Sequence, residues 1–279
     1  MATYASLRGG NNYNVTVTSG GASTKGAYVE VTASTAFDSS KLWLGTAGNT
    51  QGNVYMTDIA TGAAASEVVQ VANLICQGLF NEIYGAYYIG PIDLDIASGT
   101  RIALATQSNT AGADTFGGWI MQENRALGSL TDPVTYGADS GTTLATVVDP
   151  GAVADTKGGY VQITASTTSD HDAVLVLVGM GTNTAVGTGI NWNLDIATGA
   201  GGAEVIKVPD ITLVSSTTSD ALFPPVSRFE FTIASGTRIA VNAMCTSTDA
   251  TDRLIQVSII GLDQPAAAGG GGASAYAYA

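Results

Sequence analysis

The sequence predicts an all-β protein: two tandem homologous antiparallel β-sandwich domains of jelly-roll type, residues 1–127 and 128–264, then an extended Gly/Ala/Tyr tail, 265–279. Three observations predict it. The octet IASGTRIA at 96–103 returns letter for letter at 233–240. Apolar and polar residues alternate at a two-residue period, the pattern of strands with one buried face. Turn residues, among them many of the 35 glycines, punctuate these runs every 8–12 residues or so. About eight strands per repeat favour a jelly roll over an immunoglobulin-like count.

Taken in order, residues 1–12 are polar and glycine-rich and read as an arm or loose lead-in. Residues 13–18 form a first strand, broken by Gly20-Gly21. Residues 28–34 (YVEVTAS) follow with Val29, Val31 and Ala33 inward, matched 132 residues later by YVQITAS. Residues 42–46 and 174–178 are the next pair, and the apolar run at 173–178 reads as a buried strand. The strands at 54–60 and 191–197 both end in DIATG, now 137 residues apart. The second copy therefore holds five extra residues, placed in the Gly/Thr loop 179–189 because surface loops tolerate insertion.

Residues 67–71 pair with 204–208. Residues 79–90, with Tyr84, Tyr87 and Tyr88, stand opposite 215–227, with Pro224-Pro225. Each IASGTRIA reads as a hairpin whose Ser-Gly turn needs the backbone freedom of glycine. The last strands are 116–122 and 254–260, and 125–141 reads as the linker. The tail carries four consecutive glycines and then alternates Ala with Tyr. Alone in water it should be mobile. A neighbouring subunit is its simplest partner, with Tyr276 and Tyr278 as anchors on an added strand or in a groove; packing on its own domain is the alternative.

Composition narrows function. Ten basic against 23 acidic residues give a net charge of −13, which argues against nucleic acid as partner. Only 12% of residues are charged and 45% are hydrophobic, so a packed core is easy to form. The start has no apolar signal region, and no apolar run approaches the ~20 residues of a membrane span. Cys76 and Cys245 sit in core phases of different repeats and read as small buried residues rather than a disulfide.

No cluster announces a chemistry, and no catalytic, cofactor or metal residue is assigned. His171, the single histidine, lies in Asp170-His171-Asp172, which reads as a turn whose adjacent side chains point apart. Asp93 and Asp95 share one strand face but become Glu230 and Thr232 in the second copy, so they read as an exposed face. Arg101 and Arg238 fall on outward phases. They read either as solvated or as pairing with a carboxylate across a subunit contact. Trp43 and Trp119 are also outward, suited to an interface between repeats or subunits, or to stacking on sugar rings.

Tandem Ala/Gly/Thr-rich sandwich repeats, an acidic surface and the IASGTRIA turn resemble virion structural proteins of tailed bacteriophages: capsid-decoration, head-fibre and small tail-associated proteins. The resemblance implies a non-enzymatic protein made in the host cytoplasm, not secreted, and placed in the virion. Its partners would be other copies of itself, a trimer from capsid lattice symmetry, and a major capsid or tail protein. Neither membrane nor nucleic acid is expected to bind. The other reading is a tail-fibre or adhesin-like module that binds a surface glycan.

Overall fold

The computed structural model describes residues 3–7, 14–21, 23–48, 53–77, 86–110, 113–139, 141, 143–179, 189–215, 222–223, 226–250 and 252–263. Domain 1 is built from β1 (Thr3–Leu7), β2 (Val15–Thr18), β3 (Val29–Thr32), β4 (Ser39–Gly48), β5 (Val54–Thr61), β6 (Val68–Gln77), β7 (Ala86–Ile96), β8 (Ile102–Ser108) and β9 (Thr115–Asn124). Its first sheet runs β1-β9-β4-β7 with β2 also on β9, and its second runs β3-β8-β5-β6. If β1 and β2 count as one interrupted strand, this is the eight-strand, two-sheet order of a jelly roll. Every pairing is antiparallel.

Domain 2 repeats the order with β10 (Val134–Tyr136), β11 (Thr146–Val148), β12 (Val161–Thr164), β13 (His171–Gly179), β14 (Asn191–Thr198), β15 (Val205–Ser215), β17 (Val226–Ile233), β18 (Ile239–Cys245) and β19 (Ile255–Leu262). An added short strand, β16 (Leu222–Phe223), lies on the outer edge of β15. The sheets are β10-β19-β13-β17, joined by β11, and β12-β18-β14-β15-β16.

Four expectations change. The lead-in holds a strand, because Ala5 and Leu7 alternate with Tyr4 and Ser6 and pair with β9. The linker region already contains β10, and Ala33 is exposed beyond the end of β3. IASGTRIA is not a hairpin: β7 and β8 belong to opposite sheets, so the turn is a corner that crosses the sandwich. Gly99 and Gly236 take φ of 83° and 82° there. Thr35 plugs the first corner, its hydroxyl donating to Ala97 O at 2.8 Å and its N–H to Thr100 O at 2.9 Å. Thr167 does the same in the second.

Each sandwich is filled by apolar side chains from both sheets. Trp192 is fully buried in domain 2, where Tyr55 stands in domain 1, and both cysteines are free and buried. Burial pushes the Cys76 thiol up to about 12.

The core of domain 1 does not end at its own residues. It continues into Ala173, Leu175, Leu177, Ile260 and Leu262 of domain 2. On β13 the intervening Val174, Val176 and Val178 face domain 2's own core. That strand is buried on both faces, which is why its sequence is apolar without alternation. The outer face of domain 2's first sheet thus covers the β6 side of domain 1, where Thr135 donates its hydroxyl to Ala72 O. Covering β6 removes an open strand edge. In domain 2 the equivalent edge, β15, is covered by β16 instead. Leu175 and Leu177 contribute roughly 1.5–3 kcal/mol each to this seam.

Candidate functional site

Among the described residues, no third layer covers the sheet face of domain 1 that corresponds to the buried seam of domain 2. Where domain 2 presents Ala173, Leu175, Leu177 and Ile260, domain 1 presents Lys41, Trp43, Gly45 and Met121. This face is aromatic. Tyr4 on β1 meets Trp43 on β4 edge-to-face, with ring centres 5.9 Å apart. Tyr88 on β7 meets Trp119 on β9 in the same way at 5.7 Å. Tyr4 and Tyr88 are 53% and 44% exposed, while Trp119 is only 7% exposed.

Glycine makes this layout possible. Gly45 faces Trp119 across one strand spacing, and a Cβ there would stand 2.0 Å from the indole ring. The ring therefore lies flat on the backbone of β4 and leaves its upper surface to Tyr88. Among the described residues its indole N–H has no acceptor. Lys41 borders the face and reaches Asp93 at 3.4 Å.

Asp93 ties the face to the seam. It is fully buried, and the Arg228 guanidinium of domain 2 donates to its Oδ2 at 2.6 Å and to Pro91 O at 2.7 Å. The neighbouring Asp95 accepts the N–H groups of Gly128 at 2.8 Å and Leu130 at 3.0 Å, and so holds the linker. The sequence reading of these two aspartates as an exposed face is therefore wrong. The second domain covers one, and the linker occupies the other.

The two predicted arginines lie apart, one in each domain, in matching clips. Arg101 donates to Glu30 at 2.8 Å, and to Gly62 O and Glu67 at 3.0 Å. Arg238 donates to Gln162, Gly199 O and Glu204. Each fastens the IASGTRIA corner to the DIATG turn, and these carboxylates belong to the arginine's own domain. A second repeated clip joins Lys25 to Asp58 at 2.7 Å and Lys157 to Asp195 at 2.6 Å. Each aspartate also takes the N–H of a left-handed residue in the following strand, Asn73 or Asp210.

His171 begins a strand rather than sitting in an open turn. It is 2% exposed, with Nε2 2.8 Å from the Tyr136 hydroxyl and Nδ1 3.4 Å from Asp263. Gly261 makes room for the ring, since a Cβ there would fall 2.4 Å from it. Burial holds the imidazole pKa below its ordinary value, against the pull of Asp263, Asp170 and Asp172. The domain 1 counterpart is Ser39. The ring is sealed from solvent, which suits a packing role.

Trp43 and Trp119 are thus brought together, and Tyr4 and Tyr88 join them. Tyr4 was hidden inside the supposed arm, although its alternation with Ala5, Ser6 and Leu7 was readable. Tyr276 and Tyr278 lie outside the described residues, as do Tyr84, Pro224 and Pro225. Among the described residues no group of three His, Cys, Asp or Glu is placed to hold a metal ion. No helix among them is long and apolar enough to cross a membrane.

No family model matches the chain, and no curated protein matches it. Solved structures resemble it distantly. A structure of PNGF-II is 7% identical with a TM-score of 0.37, over 94% of this chain and 65% of that one. The infectious bursal disease virus Gx strain gives 10% and 0.25, over 94% and 71%. The tandem CBM22-1-CBM22-2 domains of Paenibacillus barcinonensis Xyn10C give 9% and 0.19, over 92% and 93%. The chain spans slightly under two thirds of the PNGF-II chain it matches. At these values the likenesses assign neither family nor activity.

Proposed function

We propose that this chain is a non-enzymatic structural protein of a phage particle, a capsid-decoration or cement component on the outer surface. It acts through contacts with copies of itself and with a major capsid or tail protein. One observation supports this above the others. The same outer sheet face is a domain–domain contact in domain 2, while in domain 1 it carries aromatic rings that no other described layer covers. Exposed aromatic rings beside a charged rim are the composition of a contact surface. The net charge of −13 keeps such an outward-facing protein dispersed.

Peptide mass spectrometry of particles purified on a density gradient tests the reading. The chain should co-sediment with the major capsid protein at a fixed ratio. Its absence from intact particles would end the proposal.

A second reading is a glycan-binding module, supported by the partly open rings of Tyr4, Trp43 and Tyr88. A glycan array probed with the full chain and with Trp43→Ala separates the two. Saturable binding lost in the variant supports the module, and a blank array removes it.

A further inference from the structure

The two sandwiches lie side by side with their strands running the same way. A Cβ on Gly179, at the end of β13, would fall 3.1 Å from Val54 and 3.5 Å from Ile75. Thr135 and Arg228 share a row of the sheet with Leu175, halfway back along β13. They reach Ala72, Pro91 and Asp93. Val54 and Ile75 lie at the end of domain 1 away from its IASGTRIA corner, and Ala72 and Asp93 lie nearer to that corner. The two corners therefore sit at the same end of the molecule.

At that end the two copies agree most closely. TAST at 32–35 and 164–167, DIATGA at 58–63 and 195–200, and the corner octets are letter-identical. At the opposite end the loop 179–189 is longer than its counterpart, and 79–90 differs from 215–227. The threonine plugs and arginine clips explain part of the identity. They do not explain the strand starts beside them. Val68 and Val69 open β6, Val205 and Ile206 open β15, and all four are between 40% and 59% exposed. Consecutive strand residues point to opposite faces, so neither face of the strand is covered there. A single aliphatic side chain in water is ordinary, but the same adjacent pair in both copies, at the same end, is a surface. It also continues an existing contact, because Ala72 and Ile75 farther along β6 lie against domain 2.

We propose that these two tips form a bivalent foot that grips neighbouring subunits of one protein array, the outer lattice of the particle. This deepens the structural-protein reading and rests on it. Each tip offers only a fraction of the roughly 1,200–2,000 Å² that a stable protein–protein interface buries. One tip would not hold a free partner for long. The seam, pinned by Arg228 on Asp93, keeps the two tips at a fixed spacing. The second contact is then intramolecular, and avidity of this kind multiplies affinity by about 10²–10⁴. An array supplies two equivalent sites, and a lone subunit does not. The net charge of −13 opposes an anionic lipid surface as the apolar partner.

Particles purified on a density gradient test it with four full-length chains. These are the wild type, Val68→Ser/Val69→Ser, Val205→Ser/Ile206→Ser and the quadruple variant. Each pair should shorten residence on diluted particles by at least about tenfold, and the quadruple variant should no longer co-sediment. Melting temperatures should stay unchanged; threonine in place of serine keeps the β-branched shape if serine disturbs a strand. Val69→Ile, which copies the second tip, should bind as the wild type does. Wild-type retention of the quadruple variant overturns the proposal. So does one pair that accounts for the whole loss, since that is a single site. A quadruple variant that stays on particles but loses self-association places the tips between copies of this chain, which also overturns it. In these three outcomes the particle reading stands. A wild-type chain absent from particles defeats that reading, and the array with it.

Discussion

Arg228 and Asp93, 135 residues apart, meet across the domain seam with Nη2 2.6 Å from Oδ2. Asp93 is fully buried and the Arg228 side chain is partly buried, 12% exposed. The guanidinium also holds Pro91 O and Glu230 Oε1, so its planar fork is used in three directions. Within one copy such a pair has no purpose. In tandem it fixes how the second sandwich sits against the first.

Removing one partner leaves the other charge buried and uncompensated. Arg228→Ala should cost about 3–5 kcal/mol, and the double variant with Asp93→Ala less than the two losses added. Lys41 softens the Arg228→Ala change little, because its own contact with the remaining Asp93 carboxylate is longer at 3.4 Å. Urea unfolding of the four chains reads the coupling directly. Simple additivity would remove the seam from the account.

Acid should loosen domain 2. Burial lowers the His171 pKa in the folded chain, so folding favours the neutral ring. Its contribution is fully present above the unfolded value near 6.5 and is lost as pH falls through the lower folded value. Asp263 has the opposite sign. Its folded pKa is raised by burial, so the stability it adds is full below the ordinary carboxylate range and lost as pH rises through the raised value. From neutrality down through His171's folded titration, the loss should come from the imidazole. Melting temperatures of the wild type should drop from pH 7 toward pH 5, and those of His171→Gln should drop less. Parallel curves would deny the histidine that role.

Gly45 should resist enlargement. Alanine there would place a Cβ 2.0 Å from the Trp119 ring, so the indole must lift off the sheet. Gly45→Ala should cost about 1–3 kcal/mol, as overpacking does. It should also shift Trp119 emission toward that of a solvated indole. An unchanged spectrum would mean that the ring does not rest on β4.

Much of this architecture was readable from the chain. Two copies of one unit, the strand positions and the buried cysteines follow from repetition and two-residue periodicity. So does the difference between 173–178, apolar throughout, and its counterpart around Lys41, Trp43 and Gly45. That difference already marks a strand covered on both faces in one copy only. Other features were not legible, for physical reasons. A Ser-Gly turn does not say which sheet the next strand joins, so IASGTRIA looked like a hairpin when it is a corner. Asp93 and Asp95 looked exposed because strand phase knows nothing of a second domain. His171 looked like a turn residue because Gly261 and Tyr136, which enclose it, are distant in sequence.

On the reading proposed above, the aromatic sheet face of domain 1 is a surface for another protein. Sedimentation equilibrium of the full chain, beside a Trp43→Ala/Tyr88→Ala variant, tests it most directly. The account predicts a wild-type mass that is a multiple of 28.1 kDa and a variant that falls to the single-chain value. A wild-type mass of 28.1 kDa at every concentration, unchanged in the variant, would contradict it.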